Sequence, residues 1–168
     1  MMFHKCILPL FVVIFSCSVY ATGIPIGLIP YQCFFKGKVI RVLDGDTIEV
    51  LQEDKPVRVR LANIDAPEKK QAYGYWSTKQ LKGLVAAQPV TVTYTQTDRY
   101  GRIIGRVFTT NGIEANRFMV LSGAAWVYER YNADNALPAL QREAQKMKLG
   151  LWADSQPVPP WEWRHKQN

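Results

Sequence analysis

From Gly37 onward the chain runs in short apolar/polar alternations broken by turn residues, the pattern of a small domain built on strands. Gly37–Leu43, rich in Val and Ile, predicts a strand. Asp44-Gly45-Asp46-Thr47 predicts a tight turn with Gly45 free to adopt positive φ, and Thr47–Gln52 alternates as the next strand. After the turn Glu53-Asp54-Lys55, the run Val57-Arg58-Val59-Arg60-Leu61 sends its arginines to one face and its apolar side chains to the other. Pro67 interrupts the chain, and Trp76, Leu81, Leu84 and Val85 then fall at helical spacing within Tyr75–Ala86. Val90–Tyr94 and Ile103–Phe108 predict two further strands around a loop at Arg99–Arg102. Helices are predicted over 113–122, closed by Gly123, and over 136–148, with an apolar stripe through Leu137, Leu140, Ala144 and Met147.

Five strands, one helix after the third and two helices at the end predict an α+β fold: an open, five-stranded β-barrel of the oligonucleotide-binding (OB) type with three α-helices. The barrel domain is expected over 36–155, preceded by a linker or arm at 22–35 and followed by a Pro/Trp-rich tail at 156–168. Residues 1–21 read differently. Lys5 gives a positive start, an apolar run reaches Tyr20, and Val19-Tyr20-Ala21 makes an acceptable cleavage site. Pro9, Ser16, Ser18 and the short length favour a secretory signal over a retained membrane anchor, and Phe15 disfavours lipid attachment at Cys17. The expected location is therefore secreted or periplasmic, with no stable membrane association after cleavage.

Charge and cysteine content narrow the chemistry. Of 21 Lys and Arg, only Lys5 lies in the first 21 residues, so the remainder carries 20 basic against 14 acidic groups, or +6. That balance suits a polyanionic partner, although solubility alone would also account for it. Beyond residue 21 the one cysteine is Cys33, beside Phe34 and Phe35, which excludes an internal disulfide and suggests a buried or idle thiol. The one histidine is His165, close to the C-terminus, which argues against Ser–His or Cys–His catalysis and against zinc. A metal here must be held by oxygen, and so belongs to the calcium or magnesium class.

Oxygen donors and arginines do cluster in the sequence. Asp44 and Asp46 flank one glycine, and Asp65-Ala66-Pro67-Glu68 follows the strand that ends in Arg60. Pro67 holds Ala66 extended with its carbonyl outward, so Asp65 and that carbonyl can act as ligands while Glu68 stands off to hold a water. Each segment alone has a bland reading, as a hairpin turn or a loop before a helix. Arg60 and Arg102 stand out as partners for a phosphate gaining charge, Arg102 through its Tyr-Gly-Arg context, in which glycine permits close backbone approach. Arg58, Arg106, Arg117 and Arg142 read as solvated surface residues, and Trp126 and Trp152 as core.

Leu43-Asp44-Gly45-Asp46-Thr47, Arg60 with Asp65-x-Pro67-Glu68, and Asp98-Arg99-Tyr100-Gly101-Arg102 together resemble the staphylococcal (micrococcal) nuclease, or thermonuclease, family. The resemblance spans roughly Gly37 to Asp154 and includes Gly150-Leu151-Trp152. It implies an OB-type barrel using one Ca²⁺, with Asp46 and Asp65 as carboxylate ligands, Ala66 contributing its main-chain oxygen where the family commonly has threonine, and Asp44 behind them. It also implies that Glu68 activates or orients the attacking water, that Arg60 and Arg102 stabilise the transition state, and that Arg99 and Tyr100 meet a terminal phosphate. Of the family's base-stacking tyrosine pair, Tyr131 fits one position and Glu129 falls at the other, with Tyr128 or Trp126 as substitutes. The implied function is an exported, monomeric, Ca²⁺-dependent endonuclease that cuts DNA and RNA with little sequence specificity, favours single strands and leaves 3′-phosphate ends. The rival readings are a non-catalytic nucleic-acid-binding OB module and a calcium-dependent binder of other polyanions. A pure binder has no need to keep these acids and arginines together.

Overall fold

The computed structural model describes residues 33–167. The expected signal segment at 1–21, and the arm as far as residue 32, lie outside the described residues. Seven strands form among the described residues: β1 (Cys33–Val42), β2 (Thr47–Gln52), β3 (Lys55–Leu61), β4 (Ile64–Asp65), β5 (Pro89–Thr97), β6 (Ile103–Thr109) and β7 (Trp126–Val127). Five of them close a barrel in the order β1-β2-β3-β6-β5, with β5 returning to β1. All of its pairings are antiparallel except β3 with β6, where Val59, Arg60 and Leu61 face Ile103, Ile104 and Gly105. The five-stranded barrel is the expected one, and its ring is closed.

Alternation explains the barrel interior. Ile48, Val50, Val59, Leu61, Val92 and Val107 are fully buried, whereas Arg58 on the opposite face of β3 is exposed. Each buried aliphatic side chain contributes about 1.5–3 kcal/mol relative to exposure. β1 starts earlier than predicted and takes in Cys33 to Phe35 from the expected arm, because that stretch pairs with Val92–Tyr94 of β5. Phe35 enters the core, but Cys33 is exposed and free, so of the two expected readings, buried or idle, burial does not hold.

The three predicted helices form as α1 (Gly74–Val85), α2 (Ala115–Leu121) and α3 (Leu137–Lys146). Leu81 and Val85, Met119 and Val120, and Leu137 turn inward and join the barrel core in one apolar cluster. A fourth helix, α4 (Pro160–Gln167), occupies the expected tail. Its sequence suits a helix in a way that apolar periodicity does not reveal: Pro160 starts it, Glu162 lies in the first turn, and Arg164, His165 and Lys166 fall in the last. No helix among the described residues is long and apolar enough to cross a membrane.

Candidate active site

The acidic turn between β1 and β2 is locked by its own backbone. Leu43 N–H donates to the Thr47 carbonyl at 2.9 Å, and Asp44 Oδ1 accepts the Asp46 amide at 3.0 Å. Gly45 has no positive φ, contrary to expectation. It is required by space instead, since a methyl group there would collide with Ser77 Oγ of α1 and with the Ala66 side chain. The turn therefore packs directly on α1 and on the second acidic loop.

That second loop leaves the barrel through the short pair β4–β7, in which Asp65 faces Trp126. Asp46 Oδ2 accepts the Ala66 amide at 2.7 Å, so the two loops are bonded to each other. Arg60, at the end of β3, lies between them. Its Nε is 3.0 Å from Asp46 Oδ1, its Nη2 donates to Asp65 Oδ1 at 3.0 Å, and its Nη1 donates to the Leu61 carbonyl at 2.6 Å. Thr47 Oγ1 adds a 3.0 Å bond to Asp46 Oδ1. The side chains of Arg60, Asp46 and Asp65 are 13%, 9% and 4% exposed, so this ion-pair group is shielded from water. Burial pushes the Asp65 carboxyl up, the nearby Asp46 charge adds to it, and the guanidinium hydrogen bonds offset only part. Asp44 is pushed up to about 6, by burial first and by Asp46 second.

Glu68 stands at the rim, its side chain 44% exposed. Both it and Asp65 receive a cation absent from the sequence reading: Arg164 of α4 donates through Nη2 to Asp65 Oδ2 at 2.8 Å and through Nη1 to Glu68 Oε1 at 2.8 Å. The helix signals at Pro160, Glu162 and Arg164–Lys166 were the available clue, but nothing in them points to the acids.

Arg102 does not join this group. Its Nε pairs with Asp98 Oδ2 at 2.7 Å and its guanidinium lies 5.6 Å from the Tyr100 ring centroid. The β3–β6 register nevertheless starts β6 beside Val59, so the 98–102 loop emerges next to the strand that carries Arg60. Arg99 donates to the Tyr100 hydroxyl at 2.7 Å, and Tyr100 is exposed. Gly101 has φ +75° with open space around it, so it is needed for conformation and not for close approach. Tyr131, exposed, meets Tyr128 edge-on at 4.9 Å, while Tyr128 stacks on Trp161 of α4 at 5.5 Å and 8°. Trp126 and Trp152 pack together at 4.3 Å, and Trp152 is buried as expected. Arg142 and Arg58 are exposed as predicted, Arg58 pairing with Glu49, whereas Arg106 and Arg117 are half-buried and pair with Glu114 and Asp134.

Among the described residues, no group of three or more His, Cys, Asp or Glu side chains gathers closely enough to hold a metal ion by side chains alone. The donors that do converge are all oxygens: the Asp46 and Asp65 carboxylates, with the Ala66 peptide bonded beside them. A pair of carboxylates with no nitrogen or sulfur donor beside it fits a hard cation such as calcium and does not fit zinc.

Comparison with known proteins decides the family. The family described as "Staphylococcal nuclease homologue" matches residues 58–154. This chain belongs to it. An Escherichia coli protein named "Uncharacterized endonuclease" is 63% identical over 131 residues, covering 78% of this chain and 86% of the relative. "Micrococcal nuclease" of Shigella flexneri is 40% identical over 157 residues, covering 88% and 90%. "Staphylococcal-like nuclease CAN1" of Arabidopsis thaliana is 37% identical over 124 residues, covering 74% of this chain and 38% of the plant protein. As a member of the staphylococcal nuclease family, the chain is a nuclease, a hydrolase whose substrate is nucleic acid.

Proposed function

We propose that this protein is an exported, Ca²⁺-dependent endonuclease that hydrolyses DNA and RNA with little sequence specificity and leaves 3′-phosphate ends. The observation that supports this best is the bonded group Asp46–Arg60–Asp65, with Glu68 at its rim. Asp46, Asp65 and the Ala66 carbonyl would hold Ca²⁺, which when bound supplies a positive centre that polarises the phosphodiester. Asp44, bonded to the Asp46 amide, holds the turn in shape.

The chain's own groups supply the rest of the chemistry. Glu68, the most accessible of these acids, takes a proton on its carboxylate from the attacking water. The water oxygen bonds to phosphorus and the bond to the 5′ oxygen breaks, that oxygen keeping the electron pair and taking a proton from solvent, so that the phosphate stays on the 3′ side. Arg60, fixed by three partners, is pre-oriented to donate to the phosphoryl oxygens as they gain charge, without reorganising during the reaction. Arg102 serves the same charge from the neighbouring loop, on the side of the leaving oxygen, and Arg99 and Tyr100 receive a terminal phosphate. Tyr131, exposed beside Tyr128, offers an aromatic face that accepts any base, which suits single strands and low sequence preference. The protein acts as a monomer.

The test is digestion of single- and double-stranded DNA and of RNA by the purified protein, with Ca²⁺ and with a calcium chelator, followed by end analysis. Cleavage that requires Ca²⁺ and leaves 3′-phosphates supports the reading. Full activity in chelator, or binding without cleavage, overturns it.

A further inference from the structure

The last helix is fastened directly over the acids. Gln71 Nε2, from the loop that follows Glu68, donates to the Val158 carbonyl at 2.6 Å, Pro160 is buried, and Trp161 stacks on Tyr128 while meeting Trp126 edge-on at 5.7 Å. These anchors deliver Arg164 to Asp65 and Glu68. The two arginines on Asp65 differ in kind. Arg60 is 13% exposed, rooted in β3 and bonded to a main-chain carbonyl, whereas Arg164 is 41% exposed and bonded only to the two carboxylates. Between them they take both Asp65 oxygens. Arg164 is thus held by two ion pairs, one to each carboxylate, and by no main-chain group. A divalent cation drawing on Asp65 therefore meets a positive charge already seated on the same oxygens.

We propose that Arg164 is a displaceable counter-cation of the metal site: it neutralises Asp65 and Glu68, and a divalent cation binds by expelling it. The inference rests on the nuclease reading given above and adds a residue and a controlling role to it. The expelled guanidinium has a destination. Beside Glu68 lies an open hollow of about 490 Å³ bounded by Asp44, Lys69, Lys70, Trp163, Arg164 and Gln167. Lys69 and Lys70 on its wall stand against the acids Asp44 and Glu68, so it is Arg164, once released from its carboxylates, that tips the hollow toward a strand phosphate. One side chain thus trades a carboxylate pair for a phosphate when the cation arrives. Release of Glu68 in the same exchange frees the carboxylate that receives the water proton.

The experiment is calorimetric titration of Ca²⁺ into the purified protein and its Arg164→Gln and Arg164→Lys variants at fixed ionic strength, with thermal unfolding of each in chelator and in saturating Ca²⁺. Arg164→Gln is expected to bind Ca²⁺ about tenfold more tightly, with Arg164→Lys between the two. Its melting temperature should fall below that of the wild type in chelator, with the gap closing in saturating Ca²⁺. A purely structural role would lower both melting temperatures equally and leave Ca²⁺ affinity unchanged. Equal or weaker affinity in Arg164→Gln, in a protein that still cuts with Ca²⁺, overturns this inference alone. No Ca²⁺ binding by any of the three proteins overturns it together with the calcium-dependent reading.

Discussion

Asp46 and Ala66 are twenty positions apart, yet the Asp46 carboxylate accepts the Ala66 amide at 2.7 Å, making the two acidic loops one unit. Asp46 has two tasks, since its other oxygen takes Thr47 and Arg60. Asp46→Asn retains an acceptor for the amide but removes the charge facing Arg60. We expect it to fold, with cleavage reduced by about 10²-fold or more. Asp46→Ala should also lose about 1–3 kcal/mol of stability, because the Ala66 amide is then buried without a partner. Denaturant unfolding alongside single-turnover cleavage separates the two effects.

Arg60 should be the most costly of the arginines to remove. Arg60→Gln leaves Asp46 and Asp65 buried side by side, and breaking a buried ion pair from one side costs about 3–5 kcal/mol. Arg58→Gln, on the same strand but with its own side chain exposed where it meets Glu49, should cost less than about 1 kcal/mol. Equal losses in chemical denaturation would contradict the shielding assigned to Arg60.

Glu68 is half in solvent, so stability should hardly notice its amide. Glu68→Gln is expected to melt within a few degrees of the wild type and to cleave about 10²–10⁴-fold more slowly at saturating Ca²⁺. Near-normal turnover removes Glu68 from proton transfer.

Asp44 yields a pH prediction. Its folded pKa of about 6 lies above the ordinary 3.8, so between those values the folded protein keeps a proton that the unfolded chain releases. The associated stability is full below about pH 4 and is lost as the pH rises through 6. Asp44→Asn stays neutral while its oxygen still accepts the Asp46 amide. From about pH 4.5 to 7.5 in chelator, the wild type should therefore lose on the order of 2 kcal/mol relative to the variant. Urea titrations at the two pH values check this, and parallel behaviour of the two proteins refutes it.

Two glycines show where sequence reasoning stops. Gly45 was expected to supply a positive φ and Gly101 a close approach; the structure exchanges these reasons. Strand alternation is a local property, so β2, β3, β5 and β6 could be located from the chain, and so could the acids and Arg60 that flank them. Space around a residue depends on what packs there from elsewhere, and Ser77 of α1 is out of reach of any local pattern around Gly45. The two-residue pair β4–β7 is too short to alternate, and α4 has no apolar stripe, so both were invisible, and Arg164 with them. Gly45→Ala should accordingly destabilise by about 1–3 kcal/mol through overpacking and impair cleavage, whereas Gly101→Ala should cost about 1 kcal/mol of backbone strain with milder effect. Thermal scans and initial rates of both variants test the exchange.

Among the described residues, the one parallel junction in the barrel joins Val59–Leu61 to Ile103–Gly105, and it closes the side of the sheet on which Arg60 is held. No short fragment contains both halves of that junction. An unfolded copy of this polypeptide carries every reactive group and still has no blade, so its danger to nucleic acid appears only when the ring is complete.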